Sequence, residues 1–411
     1  MNAQGLVLDE SISTLPSDII ENIIWRLPTE EIIRASILSK EWRYSWSKVP
    51  KAAFYEDFFD DESINENQLP VIEQEFENPP SEMKNMSKRC KFFDAIRQFL
   101  LQHQGPLIDF TLSTRLSGTT IDWVEIDQIL LHLSRKNTVK KLRLSSPCDM
   151  PLSIFSFHQL TDLCLSNCGI YDAPTFNGFG SLKTLCLEHV NIHKPALMHI
   201  LSNNPLLKSF TMLTGDYCSI QIIDEDEYGT IDELFQFLNV IEHLTLTVWE
   251  IECLCRGVVP RKLATALVHL KSLRLEGMSF LINNWLLIFI LMIRSSPNLE
   301  KLTLEMKDLP WMNFDNSLYS VTMRDCSDIW LEHLIELEIE NSDDTRHLLE
   351  FARLILAKSP ILKKLRLKVV TLKLVNDLLS SPPASRMVEI VGFHGGKDHV
   401  IFRSHKSVSG S

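Results

Sequence analysis

The sequence predicts an α/β fold: a short N-terminal three-helix bundle followed by an irregular solenoid of parallel strands alternating with helices. Three observations predict it. A six-residue pattern, L-x-x-L-x-L, recurs nine times from Val139 onward. Leucine supplies 61 of the 411 residues against only 14 glycines, as expected when every repeat needs the same inward apolar positions. Finally, Ile12 to Pro50 is an isoleucine-rich stretch punctuated by Leu15-Pro16 and Leu27-Pro28.

Pro16-Ser17-Asp18 opens a first helix, with proline early and an acid at the positive end. Ile19, Ile20, Ile23, Ile24 and Leu27 then recur at helical spacing. Leu27-Pro28 breaks that helix, because a residue preceding proline leaves the helical region. Thr29 caps a second helix that carries Ile32, Ile33, Ala35 and Ile37. Ser39 caps a third, with Trp42 and Trp46 one turn apart. Some forty residues cannot bury so much apolar surface on themselves. The excess either packs on the rest of the chain or forms a protein interface.

From Ala52 to Met83 the chain has ten acidic residues and no Lys or Arg. This segment accounts for most of the formal charge of −12, set by 41 basic and 53 acidic residues. Residues 51–87 read as an acidic linker, either solvated or, through interleaved aromatics such as Phe54, Phe58 and Phe76, laid against a basic surface. Lys88–Gln104 reads as an amphipathic helix stopped by Gly105-Pro106, Leu107–Ser113 as a first strand, and Trp123–Leu133 as a second helix.

The repeats follow and complete a solenoid over 88–370. The fourth positions of the nine copies are Leu142, Leu163, Leu185, Phe210, Leu244, Leu273, Leu302, Leu337 and Leu365. Their spacings run from 21 to 35, and leucine-rich repeats proper run about 20–29, so the array contains insertions. Helical spacing fills the gaps at Pro195–Asn203, Pro260–Leu267, Asn284–Arg294 and His347–Lys358. Three gaps close on Ser/Asn-Pro-x-Leu, at Asn204, Ser296 and Ser359. In each strand positions four and six point inward, and the residues between them form an outer face.

Particular residues carry a resemblance to known families. Leu15-Pro16-Ser17-Asp18-Ile19-Ile20, then Leu27-Pro28, then Leu38-Ser39-Lys40-Glu41-Trp42-Arg43 with Trp46, resemble an F-box. Leu38 stands where valine is commoner. Beyond it, Phe99–Leu112, His132-Leu133-Ser134-Arg135, Leu163–Cys168 and Leu185–Val190 are similar to plant F-box proteins with leucine-rich repeats and a C-terminal FBD segment. Residues 371–393 resemble that segment, with Pro383 where the family places arginine, and 394–411 form a tail. The resemblance implies that Leu15, Pro16, Ile19, Ile20, Ile23, Leu27, Pro28, Ile32, Leu38, Ser39, Trp42 and Trp46 bind a Skp-type adaptor and through it a cullin. The repeat face would hold an unknown target protein. The expected function is therefore substrate recognition in an SCF-type ubiquitin ligase, the other reading being a repeat scaffold that recruits no ligase.

Candidate target contacts on the outer face are Lys141 and Arg143 in the first copy and Lys364, Arg366 and Lys368 in the last. Glu336, Glu338 and Glu340 sit in the copy before the last, so the two charged rungs either pair across the sheet or leave the basic rung to read an acidic partner. No catalytic residue, cofactor or metal site is expected. The sequence has no phosphate-cradling glycine loop and no G-x-S-x-G or H-E-x-x-H. Cys164-x₃-Cys168 and Cys253-x-Cys255 lack partner pairs at zinc-site spacing. The acidic balance argues against a nucleic-acid partner. Trp285–Ile293, nine apolar residues, is about half a membrane span and reads as a buried helix, so no membrane partner is expected. Nine scattered cysteines and no signal-like N-terminus point to reduced thiols in cytoplasm or nucleus.

Overall fold

The computed structural model describes residues 19, 23, 46–59, 81–115, 120–171, 177–214, 220–221, 231–255, 259–279, 283–307, 329–340, 345–368, 378, 388–394 and 397–403. The F-box-like helices apart from Ile19, Ile23 and the last turn, and most of 371–387, lie outside them. The chain forms two compact units, Met1–Gly169 with Phe179–Ser181, and Ile170–Gly178 with Leu182–Ser411.

In the first unit a 3₁₀ turn, Trp46–Lys48, leads directly into strand β1, Lys51–Tyr55. A second 3₁₀ turn, Glu56–Phe59, follows, and helix α1 spans Ser81–Gln102. Strand β2 is Asp109–Ser113, helix α2 Thr120–Lys136, β3 Lys141–Ser145 and β4 Asp162–Ser166. The four strands are parallel in chain order, with Lys51 opposite Asp109, Asp109 opposite Lys141, and Lys141 opposite Asp162.

The acidic-linker reading of 51–87 is corrected at both ends. Lys51–Tyr55 is the first strand of the sheet, one before the strand expected at Leu107–Ser113, and α1 starts at Ser81. The reason is alternation too short to stand out beside the acids: Ala52 and Phe54 point inward and are buried. The Phe54 ring packs edge-on against Phe99 at 5.3 Å and lies 6.0 Å from Phe110. Glu56, also buried, accepts the Arg115 backbone N–H at 2.8 Å and lies 4.0 Å from Arg89. The middle of the acidic run, 60–80, is outside the described residues.

In the second unit the order is β5 (Thr184–Glu188), α3 (Lys194–Ser202), β6 (Ser209–Leu213), α4 (Ile231–Phe237), β7 (His243–Thr247) and α5 (Val248–Cys255). Then come β8 (Ser272–Met278), α6 (Asn283–Ser295), β9 (Lys301–Met306), β10 (Glu336–Glu340), α7 (Thr345–Lys358) and β11 (Lys364–Lys368). Strands β12 (Glu389–His394) and β13 (Lys397–Arg403) finish the sheet. Strands β5 to β12 are parallel in chain order, and β13 pairs antiparallel with β12. The tail expected over 394–411 thus contributes a strand.

All nine leucine patterns form strands, and their fourth and sixth positions are buried. One backbone rule stacks them. The carbonyl at position two accepts two N–H groups from the following copy, as when Lys208 accepts Glu242 and His243 at 2.8 and 3.0 Å. Glu242, Lys271, Glu300 and Ile335 do the same in turn. The Ser/Asn-Pro-x-Leu signature is a turn that stops the helix. Leu207, Leu299 and Leu362 donate to the carbonyls of Asn204, Ser296 and Ser359 at 3.1–3.3 Å. Asn204 and Ser296 also return side-chain bonds of 2.7 Å to Ile200 and Met292, occupying last-turn carbonyls.

Helix α6 is buried at every position from Trp285 to Ile293 except Leu287, as a core helix must be. Among the described residues no helix is long and apolar enough to cross a membrane. One expected helix is corrected: Pro260–Leu267 is not helical, and helix α5 lies earlier, directly after β7. The segment keeps helical spacing because Leu263 and Leu267 are both buried. Tertiary bonds hold it open, Ala264 N–H to Asp232 Oδ1 at 2.7 Å and Leu267 N–H to the Ser295 carbonyl at the end of α6, also 2.7 Å.

Candidate protein-interaction surfaces

At the N-terminal end Ile19 and Ile23 are both helical, one turn apart on the same face. They are 43% and 36% exposed, a wet apolar pair where a core would have dry ones. Leu15, Pro16, Ile20, Leu27, Pro28, Ile32, Leu38, Ser39 and Trp42, and the side chain of Trp46, lie outside the described residues.

The segment that closes this region is fastened to the first repeat by its backbone. The Ser47 carbonyl accepts the N–H groups of Gln104 and Gly105 at 2.8 and 3.1 Å. The Pro50 carbonyl accepts those of Ile108 and Asp109 at 2.7 and 3.0 Å. His103, buried against Phe99 at 5.2 Å, donates Nε2–H to the Val49 carbonyl at 2.8 Å. Burial, with Lys136 nearby, lowers its pKa although the Val49 bond opposes this. Lys136 reaches back to the His103 carbonyl at 3.1 Å beyond the end of α1.

On the outer face of the first unit Lys141 and Arg143 are exposed on β3, and Arg143 pairs with Asp109 on β2 at 3.1 Å. In the second unit the two charged rungs are neighbours, with Glu336 opposite Lys364 and Glu338 opposite Arg366. Arg366 lies 3.2 Å from Glu336 and 3.9 Å from Glu338. Lys368 lies 3.3 Å from Glu338 and also bonds Glu340. Of the two readings of these rungs, the geometry realises cross-strand pairing. Burial would raise the Glu340 carboxyl, but hydrogen bonds from Lys368 and Arg274 outweigh it and hold its pKa down.

Sequence reasoning missed the centre of this lattice. Arg274 on β8 bonds Glu276 at 2.7 Å, Glu305 at 3.0 Å and Glu340 at 2.9 Å. Lys301 adds contacts to Glu336 at 3.4 Å and Glu338 at 3.9 Å. The signal was available: Arg274 and Glu276 are two apart on one strand, both face outward, and the next two copies carry Glu305 and the Glu336, Glu338 and Glu340 rung at their outer positions.

Comparison with known proteins fits this arrangement. Residues 12–52 match the F-box domain, and 128–226 match the leucine-rich repeats described for FBD-associated F-box protein At5g56370. Over 92% of its length the chain is 26% identical to the F-box/FBD/LRR-repeat protein At1g13570 of Arabidopsis thaliana, of which it covers 97%. Over most of its length the chain resembles plant F-box/FBD/leucine-rich-repeat proteins. Two further Arabidopsis relatives are matched only in part. FBD-associated F-box protein At5g56370 is 30% identical over 50% of this chain and 44% of its own length. F-box/FBD/LRR-repeat protein At2g26030 is 26% identical over 52% and 44%. The chain thus spans less than half the length of these two. The F-box and leucine-rich-repeat matches support a likeness to F-box substrate adaptors; such proteins are generally non-catalytic, and an F-box in general implies binding to a Skp-type adaptor. The F-box match ends at residue 52, inside β1, so module and repeats share a strand.

Proposed function

We propose that this protein is the substrate-recognition subunit of an SCF-type cullin ubiquitin ligase, with no catalytic step of its own. The F-box residues around Ile19 and Ile23 dock the adaptor and through it the cullin, and the outer face of the repeats holds the target. The work is done in cytoplasm or nucleus by proximity: tethering raises the effective concentration of target lysines near the transfer machinery. The observation that carries the reading is the exposed Ile19/Ile23 pair inside the F-box match. Lys141, Arg143, Lys364, Arg366 and Lys368 remain the proposed target contacts. Because Arg143, Arg366 and Lys368 already face carboxylates, they would present a target with a fixed pattern of both signs rather than free positive charge.

The test is co-purification of the full chain with a Skp-type adaptor and cullin. Ile19→Asp with Ile23→Asp, and separately Leu15→Ala with Pro16→Ala, should abolish capture while the thermal unfolding transition stays in place. A folded wild-type chain that never captures the adaptor would make it a repeat scaffold instead.

A further inference from the structure

Beside the interaction surfaces, the first unit carries two cysteines set in register. Asp149 and Gly169 form an isolated parallel bridge. The Gly169 N–H donates to the Cys148 carbonyl at 3.3 Å, and the Met150 N–H to the Gly169 carbonyl at 2.8 Å. Cys148 and Cys168 each stand one residue before the bridged pair. In a parallel pairing such residues lie side by side with side chains on the same side, about 4.8 Å apart. That falls inside the Cα separation of about 4.4–6.8 Å which a disulfide needs.

The two thiols are not equivalent. Cys148 is half-buried, whereas Cys168 is buried. A hydroxyl relay ends on the first. Buried Thr114 donates its O–H to Ser146 Oγ at 2.7 Å, and Ser146 Oγ lies 3.2 Å from Cys148 Sγ. While accepting from Thr114, the Ser146 hydroxyl still has its own O–H to offer the Cys148 sulfur, in a contact that either group can donate. Burial first, then Cys148, Asp149 and Cys164, push the Cys168 thiol up to about 12. Cys168 is therefore protonated until a partner arrives.

We propose that Cys148 and Cys168 are a reversible redox pair, in which hydrogen peroxide oxidises Cys148 and Cys168 resolves it to a disulfide. The Cys148 thiolate attacks one peroxide oxygen. The O–O bond breaks, hydroxide leaves as water after taking a proton, and Cys148 becomes a sulfenic acid. Cys168 sulfur then attacks Cys148 sulfur. The S–S bond forms, the S–O bond breaks, and the hydroxyl departs as water with the Cys168 proton. Two thiols lose two electrons and one peroxide becomes two waters. A dithiol reductant reverses the step.

The experiment treats the reduced full chain with hydrogen peroxide, blocks remaining thiols and maps digested peptides by mass spectrometry without reduction. The expected product joins the Cys148 and Cys168 peptides and disappears with dithiothreitol. Cys148→Ser, a half-exposed change, should remove the link. Cys168→Ala should leave Cys148 as a sulfenic acid that dimedone captures. A stable Cys148 sulfenic acid in the wild-type chain, no Cys148 oxidation at all, or a Cys164–Cys168 link in its place would each overturn the assignment.

Discussion

Gly105 marks how closely the end of the F-box region meets the first repeat. A Cβ built there would stand 2.8 Å from the Lys48 Cα and 2.9 Å from its carbonyl oxygen, both backbone atoms that cannot swing aside. Gly105→Ala should therefore cost about 1–3 kcal/mol, the range for overpacking a tight site, read as a lower denaturant midpoint at unchanged slope. His103 makes the same junction sensitive to acid. Its pKa is lowered from 6.5 in the fold, so below 6.5 the unfolded chain binds the extra proton first. The stabilisation is complete above that value and is lost as pH falls through it toward the folded pKa. His103→Gln keeps an N–H for the Val49 carbonyl but cannot titrate. Between pH 7 and 5 its melting temperature should fall less steeply than that of the wild type. Equal slopes would place the acid sensitivity elsewhere, His132 being the other histidine among the described residues whose pKa burial lowers.

The strands β8 to β11 owe their outer face to charge, and Arg274 is the group most of it depends on. Removing it as Arg274→Ala leaves Glu276, Glu305 and Glu340 clustered with one fewer cation. Isolated surface pairs are worth roughly 0–1 kcal/mol, and breaking buried ones costs about 3–5 kcal/mol. For a side chain about one third exposed a loss of about 1–2 kcal/mol is expected, smaller at low pH where the carboxyls protonate. Urea unfolding of wild type and variant at two pH values checks it, and an identical loss at both would exclude the lattice as the cause. Such elements also show what the sequence made legible. The nine leucine strands were readable because two large inward residues recur at fixed positions, and so were the Ser/Asn-Pro-x-Leu turns. Strand β1 was not, because its inward residues are one alanine and one phenylalanine followed at once by acids. Helix α5 was missed and a helix placed at Pro260–Leu267 because local spacing there is overruled by bonds to Asp232 and Ser295, distant in sequence. At the candidate site the charged rungs were visible, but their pairing depends on strand order and register, which periodicity does not contain.

For the whole molecule the consequential fact is where the acidic run enters. Strand β1 and the turn Glu56–Phe59 precede its middle and α1 follows it, all within the first unit, so in chain order it is an insertion inside that unit and not a spacer between the adaptor module and the repeats. A spacer would set the distance between those two functions. An insertion sets only the cost of closing its own loop, which grows slowly with length, about 0.6 kcal/mol per doubling. Its N-terminal flank is held by Arg115, whose N–H binds Glu56 and whose side chain binds Asp57 at 2.6 Å. Replacing residues 62–78 by six Gly/Ser residues removes five acids and takes the formal charge from −12 to −7. The shortened chain should unfold cooperatively within about 1 kcal/mol of the wild type, and adaptor capture should be unchanged. Target ubiquitination should also persist, since the Ser47, Val49 and Pro50 carbonyl contacts that fix the module to the repeats are untouched. Loss of adaptor capture in a folded variant would assign the acidic run to the adaptor interface. Loss of target transfer with adaptor capture intact would assign it to target recognition.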